Sequence, residues 1–333
     1  MQPLSTTDAG FLYTEKPRTP MHVAALQLYD PATAPTGRVS VEQIVDNVRQ
    51  RAHRIDCYHR KLLETPWHLD HPQWVNDAGF DAAQHVFAHQ LAAPGGWRAL
   101  CELVADLDAQ PLKRSQPLWE MHVITQLGDI SGIPSEAFAV FTKIHHAAVD
   151  GVAGIGVTLA LHDLDPVGVA PEPSDISAEE VPTPTQLIER ALIKEAYRPM
   201  RTYQAWPALT RLTNAWVQLP PTPVAPRTRF NRRVSEQRVF DAIRLPLAEL
   251  QACKRRVAVA TINDVVLTLV GGAMRRYLRS LEELPWQSLL AMVPTNTRKG
   301  ASQHGEGNQI SQIIVSLGTD IEAAGDRLRA IQQ

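Results

Sequence analysis

Hydrophobic residues in the first half of the chain follow two alternating periods. Short apolar runs typical of β-strands lie at residues 23–29, 121–124 and 136–144. Between them, apolar residues recur every three or four positions after Ser40 and again from Trp97 to Leu107, as they do on one face of a helix. Gln43 stands three residues after Ser40, which is the spacing of a capping box. The alternation predicts a mixed α/β layer fold.

A second pattern of the same style begins after Ser235. Leu247, Leu250 and Val257 precede a helical pattern that starts at Thr261, and strand-like runs follow at 288–294 and 309–317. The segment 165–184 is rich in Pro, Glu and Ser, which indicates a surface connection. Because 333 residues exceed what one compact core usually takes, we predict two domains. The predicted boundaries give an N-terminal domain at 1–175, a Pro- and Arg-rich linker at 176–235 and a C-terminal domain at 236–333.

The sequence HHAAVDG, at residues 145–151, joins the apolar run at 136–144 to a helical segment of small residues. Side chains alternate along a strand, so His146 shares a face with Ile144 whereas His145 takes the other. The two histidines therefore have different roles unless the strand has already ended.

An uncharged imidazole titrates near neutral pH and can take a proton from a hydroxyl or thiol as that group attacks a carbonyl. Asp150 is placed to hold the turn or an imidazole, and Gly151 leaves room for a substrate. The alternative is that the histidines are structural and Asp-Gly is only a turn or a helix cap. For an isolated pair of histidines that alternative is favoured, but the whole pattern behind a strand favours catalysis.

HHAAVDG matches the HHxxxDG signature of coenzyme A-dependent acyltransferases. The sequences around it narrow the resemblance to the bacterial wax ester synthase/diacylglycerol acyltransferase family. They are PLSTTDAGFLYTEKPRTPMHV at 3–23, WVNDAGFDAAQHV at 74–86, PGGW at 94–97, PLWEMHVI at 117–124 and NDVVLTL at 263–269. The similarity extends essentially from end to end, but the family's second domain ordinarily continues past Gln333, so we expect a fragment or the first piece of a cleaved protein.

The resemblance implies a two-domain, chloramphenicol acetyltransferase-like fold with an inter-domain tunnel, its second domain incomplete in this chain. It implies transfer of a long-chain acyl group from acyl-CoA to diacylglycerol or a long-chain alcohol. His146 is then the general base. Asn263 is either a donor to the oxyanion or, with Asp264, only part of a helix cap behind Thr261. We interpret Asp150 as structural and expect it to pair with an arginine such as Arg60 or Arg298. His145 and Gly151 complete the motif, and Asp264 and Arg298 are candidates for substrate binding. Acyl-CoA is a substrate, so no cofactor or metal is expected.

Composition adds few constraints. The 33 basic and 35 acidic side chains nearly cancel, so nothing points to nucleic acid. The three cysteines are far apart, form no disulfide or zinc pattern and favour a reducing cytoplasm, each as a small core residue. His85 and His89 stand four apart, the spacing of one helical face, but no further ligand completes a metal site, so we expect a solvated pair. PLW is interpreted as structural.

The segment 198–238 carries eight arginines against the single acid Glu236, interleaved with aromatic rings. An apolar helical face precedes it, formed by Leu187, Ile188, Ala191, Leu192 and Ala196. It can be a linker with solvated or paired arginines, a contact with membrane or lipid-droplet head groups, or a holder of coenzyme A phosphates. No signal peptide or transmembrane stretch is evident, so any membrane contact is expected to be peripheral, at the inner membrane or a droplet surface.

Two other functions compete with acyl transfer to these acceptors. A lipid-binding or droplet-coating protein can keep the same fold after losing catalysis. Acyl transfer can also use another acceptor, as in condensation domains that act on carrier-protein thioesters. His146, Asp150, Gly151 and Asn263 argue against a pure coat, which needs none of them.

Overall fold

The computed structural model describes residues 1–34, 36–149, 151–163, 171–172, 176, 179–199, 224–296 and 310–333. They form two compact units. The first contains the described residues up to 199 together with Val234–Asp241, and the second contains residues 224–233 and those from 242 onward. The domain boundaries predicted near 175 and 235 stay predictions, because much of the connecting segment lies outside the described residues.

The first unit mixes strands and helices, as the apolar pattern predicts. In chain order the elements are β1 (Gln2–Pro3), α1 (Thr6–Thr14), β2 (His22–Tyr29), α2 (Val41–Arg51), α3 (Asp56–His59), β3 (Arg60–Leu63), β4 (Gln73–Asn76), β5 (Val86–Gln90), α4 (Trp97–Ala109), β6 (Trp119–Thr125), β7 (Phe138–His145), α5 (Gly151–Leu161) and α6 (Pro184–Ala196). The predicted capping box forms at the start of α2, where Ser40 and Gln43 exchange hydrogen bonds.

A four-stranded mixed sheet with the order β2-β7-β6-β5 forms the centre of this unit. β7 pairs antiparallel with both β2 and β6, whereas β5 and β6 are parallel. One face packs against α2 around Val48 and Trp119, and the other packs against α4 around Leu100 and Phe141. β7 is thus buried on both faces, which explains its nearly uninterrupted apolar sequence.

A smaller antiparallel sheet, β1-β4-β3, belongs to the same unit. Its core joins the side chains of Leu4 and Leu12, from the start of the chain, to Leu62, Leu118 and Ala147. Ala147 is the third residue of HHAAVDG. The amino-terminal segment and the histidine motif therefore share one hydrophobic cluster.

The second unit contains α7 (Leu247–Lys254), α8 (Ile262–Ser280), β8 (Leu290–Asn296), β9 (Ile310–Ser316) and α9 (Ala324–Gln332). β8 and β9 form an antiparallel pair. At Gly271 in α8, an added Cβ would lie 2.0 Å from the carbonyl oxygen of Leu317, so only glycine lets the helix come this close to the chain after β9.

The structure corrects one expectation about burial, that of Cys253, and shows the predicted apolar face of α6 to be only partly covered. Within the predicted apolar face of α6, only Leu187 and Ala191 are buried, whereas Leu192 is 58% exposed. Cys57 and Cys101 are core residues as predicted, but Cys253 is exposed. The pattern in the sequence fixes which residues share a face and not how far a neighbouring element covers it.

Within the described ranges, no helix combines the length and the apolar character needed to cross a bilayer.

Candidate active site

β7 ends at His145, so the two histidines of the motif have different backbone settings. The His145 amide donates to the carbonyl oxygen of Leu118 at 2.9 Å, and the His146 amide donates to that of Met21 at 2.8 Å. The amide of Ala148 then closes a turn on the carbonyl oxygen of His145 at 2.9 Å. The strand alternation that distinguishes the two side chains therefore stops between them, and the turn directs His146.

His145 is buried, with 1% of its surface exposed. Its Nδ1 accepts the amide hydrogen of Ala147 at 3.0 Å. A neutral His145 consequently carries its proton on Nε2, which lies 3.4 Å from Oε1 of Glu15. Both ring nitrogens of His145 thus face protein groups, one on its own turn and one on the segment after α1.

Glu15 is a partly buried carboxylate that the sequence interpretation did not single out. Its Oε1 accepts from the Met21 amide at 3.0 Å, and its Oε2 accepts from Arg114 at 2.9 Å. Burial raises the pKa of Glu15, but the contacts with His145, the Met21 amide and Arg114 outweigh that effect and bring the pKa to about 2. Glu15 is therefore an anion at every pH where a histidine titrates.

His146 is partly buried, unlike its neighbour. The ring of Phe11 stacks on the imidazole with centroids 4.3 Å apart and planes 8° apart. Burial lowers the pKa of His146 below its ordinary value, and the nearby His145 lowers it further. At neutral pH the His146 imidazole is uncharged, which is the form that accepts a proton.

Charged groups line the face of the sheet beside His145. Lys143 has no exposed surface, and its Nζ lies 3.1 Å from Oε2 of Glu120 and donates to the carbonyl oxygens of Leu107 and Gln110 at the end of α4. His22, which pairs with His145 across the strands, lies 3.0 Å from Asp108 of α4. These contacts tie α4 to the strand that ends at the motif.

The interpretation of PLW as structural agrees with the position of Trp119. Its side chain is 1% exposed, stacks on Tyr58 at 4.0 Å and donates from Nε1 to the carbonyl oxygen of Tyr58 at 2.9 Å. In the sheet register Trp119 lies opposite Ile144, the residue before the motif. It supports the last part of β7 from the side opposite α4.

The expectation of a solvated His85 and His89 pair on a helix is wrong. His85 precedes β5 and is buried, with Nδ1 at 2.9 Å from the carbonyl oxygen of Trp119. His89 lies within β5 and contacts Nδ1 of His122 at 3.0 Å. A spacing of four fits a helix, but the parallel pairing of β5 with β6 imposes a strand here. In the described part of the chain, no three potential ligands are grouped as a metal site requires.

The remaining predicted site residues include two of the second unit and two outside the described ranges. Asn263 lies near the start of α8 and is exposed, while Asp264 completes a capping box with Thr261. Gly151 begins α5, whereas Asp150 and Arg298 fall outside the described residues. Arg60 donates to Gln2 at 2.9 Å and contacts Asp56 at 3.0 Å, so its predicted pairing with Asp150 stays a prediction.

Some of the described arginines of the basic segment form contacts within the protein, and others are exposed to solvent. Arg229 pairs with Glu283 at 2.8 Å and donates to the Tyr277 hydroxyl at 2.8 Å. Arg238 donates to backbone carbonyls, among them that of Ser235 at 2.8 Å. Arg232 and Arg233 are exposed. Among the aromatic residues interleaved with these arginines, Phe230 contacts Tyr277. The others, Tyr203, Trp206 and Trp216, lie outside the described residues.

Comparisons with known proteins add an independent test of the resemblance. Residues 4–266 match the wax ester synthase/diacylglycerol acyltransferase catalytic domain. The chain is 33% identical over 345 residues to a candidate diacylglycerol O-acyltransferase of Mycobacterium tuberculosis. The alignment covers 99% of this chain and 65% of that protein. The chain thus spans less than two thirds of that relative's length.

Solved structures give the same picture of the fold. The wax ester synthase/diacylglycerol acyltransferase from Marinobacter aquaeolei is similar with a TM-score of 0.67 and 28% identity, over 100% of this chain and 70% of that one. The starter condensation domain of rhizomide synthetase shares the fold at a TM-score of 0.52 and 15% identity, over 98% and 70% of the two chains. The family resemblance and the mixed α/β fold class predicted from the sequence are confirmed.

Proposed function

The chain belongs to the wax ester synthase/diacylglycerol acyltransferase family, and from this premise we propose that it acts as an acyl-CoA-dependent O-acyltransferase. The acyl group passes from the coenzyme A thioester to the hydroxyl of diacylglycerol, a long-chain alcohol, or both. The reaction class is that of the relatives named above. The observation that carries the proposal is a partly accessible His146, stacked on Phe11, next to a buried His145. Burial lowers the pKa of His146, which favours the uncharged, proton-accepting form.

His146 is the general base in this proposal. As the hydroxyl oxygen attacks the thioester carbonyl carbon, the imidazole takes the hydroxyl proton. The tetrahedral intermediate then collapses with cleavage of the carbon–sulfur bond, and the imidazolium returns the proton to the coenzyme A thiolate. The products are the ester and free coenzyme A, and no covalent acyl-enzyme is required.

The other motif residues take supporting roles. Asn263, exposed near the start of α8, is the side-chain donor for the oxyanion of the intermediate. Preorganised donors of this kind contribute about 3 to 4 kcal/mol each where mutagenesis has measured them. Asp150 holds the turn, and Gly151 opens the approach at the start of α5.

The reaction is tested by incubating the purified chain with labelled palmitoyl-CoA and either dioleoylglycerol or hexadecanol, with His146→Ala in parallel. Free coenzyme A and neutral lipid are followed together. Product that depends on His146 supports the proposal, and the ratio of the two esters gives the preferred acceptor. A folded wild-type chain that binds these lipids without forming product favours a lipid-binding or coating role.

We also propose peripheral contact with a membrane or lipid-droplet surface through the exposed arginines after residue 224. Changing Arg227, Arg232 and Arg233 to Gln is expected to weaken sedimentation with liposomes rich in anionic lipid, because cations near such a surface contribute about 1 kcal/mol each. Arg229 is also a candidate, but its pair with Glu283 gives it a role within the fold. The matched control changes Arg49, Arg98 and Arg329, which are exposed elsewhere. Equal sedimentation of both triple variants contradicts the contact.

A further inference from the structure

The last turn of α1 and its C-cap residue, Glu15, face the two histidines of the motif. Phe11 and Glu15 are four residues apart, and the Glu15 amide donates to the carbonyl oxygen of Phe11 at 3.1 Å. Residues at this spacing share one side of a helix. Phe11 stacks on His146, and Glu15 lies 3.4 Å from His145. Tyr13, between them in sequence, is 52% exposed and contacts His71 instead.

This helix is firmly attached to the body that carries the motif. Its start is capped by Ser5, whose hydroxyl accepts the amide of Asp8 at 3.0 Å. Its buried residues Ala9 and Leu12 pack in the same hydrophobic cluster as Ala147. The close-packed cluster transmits any shift of α1 to the histidine turn.

Hydrogen bonds through Glu15 connect the helix to the backbone beside His146. Oε1 of Glu15 holds the Met21 amide at 3.0 Å, and the Met21 carbonyl accepts the His146 amide at 2.8 Å. Arg114 fixes the other oxygen of Glu15 and also donates to the Leu12 carbonyl at 2.7 Å. Both carboxylate oxygens are therefore engaged, and Glu15 cannot turn away from His145 without breaking these bonds.

We propose that Phe11 and Glu15 are positioning residues for His146, an inference that rests on His146 being the base of the proposed acyl transfer. The ring of Phe11 sets the plane of the imidazole and covers one of its faces, which holds the imidazole in one orientation. Glu15 fixes the backbone at Met21 and the neighbouring His145. A misplacement of a catalytic group by about 1 Å can cost about a hundredfold in rate, so small losses of order here affect turnover.

The Phe11 part is tested with Phe11→Leu, which keeps an apolar side chain but removes the stacking plane. We expect kcat to fall by about tenfold to a hundredfold with little change in KM. Loss of the covering ring also moves the imidazole signals of His146 in NMR spectra of histidine-labelled protein. Its pKa rises towards the ordinary value because burial is what lowers it. Phe11→Tyr, which retains the ring, restores all three observables.

Tyr13→Leu is the matched control, since it removes an aromatic ring from the same helix without touching the histidines. It should leave kcat and the His146 signals unchanged. Equal effects of Tyr13→Leu and Phe11→Leu would show that the lower kcat results from a less stable helix, and would overturn the inference. Unchanged His146 signals in Phe11→Leu would also overturn it.

The Glu15 part is tested with Glu15→Gln, which keeps the shape of the side chain and removes its charge. We expect a lower kcat at unchanged KM and an altered tautomer balance of His145 in nitrogen-15 spectra, because the carboxylate no longer faces Nε2. Glu102→Gln, which breaks an exposed pair with Arg98, is the control and should change neither. A Glu15→Gln variant with wild-type kcat and wild-type His145 signals would exclude this role.

The two kinds of readout keep this inference separate from the proposed function. If the wild-type chain forms no ester while Phe11→Leu still changes the His146 ring, the proposed reaction fails and the positioning of the ring stands. If ester forms at the wild-type rate in Phe11→Leu and Glu15→Gln, the reaction stands and the positioning inference fails.

Discussion

Two regions carry the main candidate catalytic residues: the histidine turn in the first unit and the beginning of α8 in the second. They differ in where their stabilising contacts come from. The turn is formed by distant segments, with Phe11, Glu15 and Met21 holding His145 and His146. At α8 the arrangement is local, because Thr261 and Asp264 satisfy each other's amides at 3.2 and 2.7 Å.

The difference shows how much structure each candidate residue needs around it. A helix cap forms from four consecutive residues and can be recognised in a sequence. A neutral imidazole of fixed orientation requires burial, a stacked ring and a second hydrogen-bonded group, and these come from segments more than a hundred residues away. Substitutions at the histidine turn and at the start of α8 should therefore differ in how much they change turnover and stability.

The largest effect is expected for His146→Ala. Loss of the general base should reduce turnover by about a hundredfold to ten-thousandfold. The Phe11 side chain can settle over the vacated space, so the melting temperature should change little. Steady-state kinetics and thermal unfolding of the same preparation measure both. Wild-type turnover in His146→Ala would show that another group takes the proton.

Asn263→Ala should come next if the exposed amide supplies an oxyanion donor. Loss of one such donor costs about a hundredfold to a thousandfold in kcat. Stability should stay nearly the same, because the cap is formed by Thr261 and Asp264 rather than by Asn263. Kinetics with palmitoyl-CoA decide the point, and an unchanged kcat would leave Asn263 as an ordinary first-turn residue.

His145→Ala should act on stability more than on chemistry. The change removes the acceptor of the Ala147 amide and a partner of Glu15 inside the protein, and unsatisfied buried groups cost about 1 to 3 kcal/mol each. Chemical denaturation gives the free energy of unfolding. If His145→Ala abolished turnover and left stability unchanged, the roles assigned to the two histidines would have to be exchanged.

Thr261→Ala is expected to have a smaller effect. Removing an N-cap hydroxyl costs about 1 kcal/mol, and the loss should be confined to the second unit. Hydrogen exchange of the α8 amides locates it. Protection lost equally in β7 would contradict the local character of this cap.

The smallest change is expected from pH. Because burial holds the pKa of His146 below its ordinary value, the imidazole stays neutral as the pH falls through 6.5 and is protonated only further down. The acidic limb of kcat/KM should therefore lie below pH 6.5. A limb above that value would mean that His146 is not the titrating base.

The sequence by itself determined the elements and the family. Apolar periodicity located β7, α2 and α4, the Ser40 and Thr261 signals located two helix starts, and the motifs around HHAAVDG identified the relatives. These features depend on neighbours within a few residues, so they can be derived from the chain alone.

Only the tertiary structure decided how the histidines differ. His85 and His89 have a helical spacing, but His89 lies in β5 and His85 directly precedes that strand. The pairing of β5 with β6 outweighs the local preference. Glu15 and Phe11 are four residues apart, a signal visible in the sequence, yet nothing local indicates that they meet residues 145 and 146. Burial, the protonation of a histidine and the orientation of its ring depend on groups brought together by folding, and for that reason the sequence alone could not fix them.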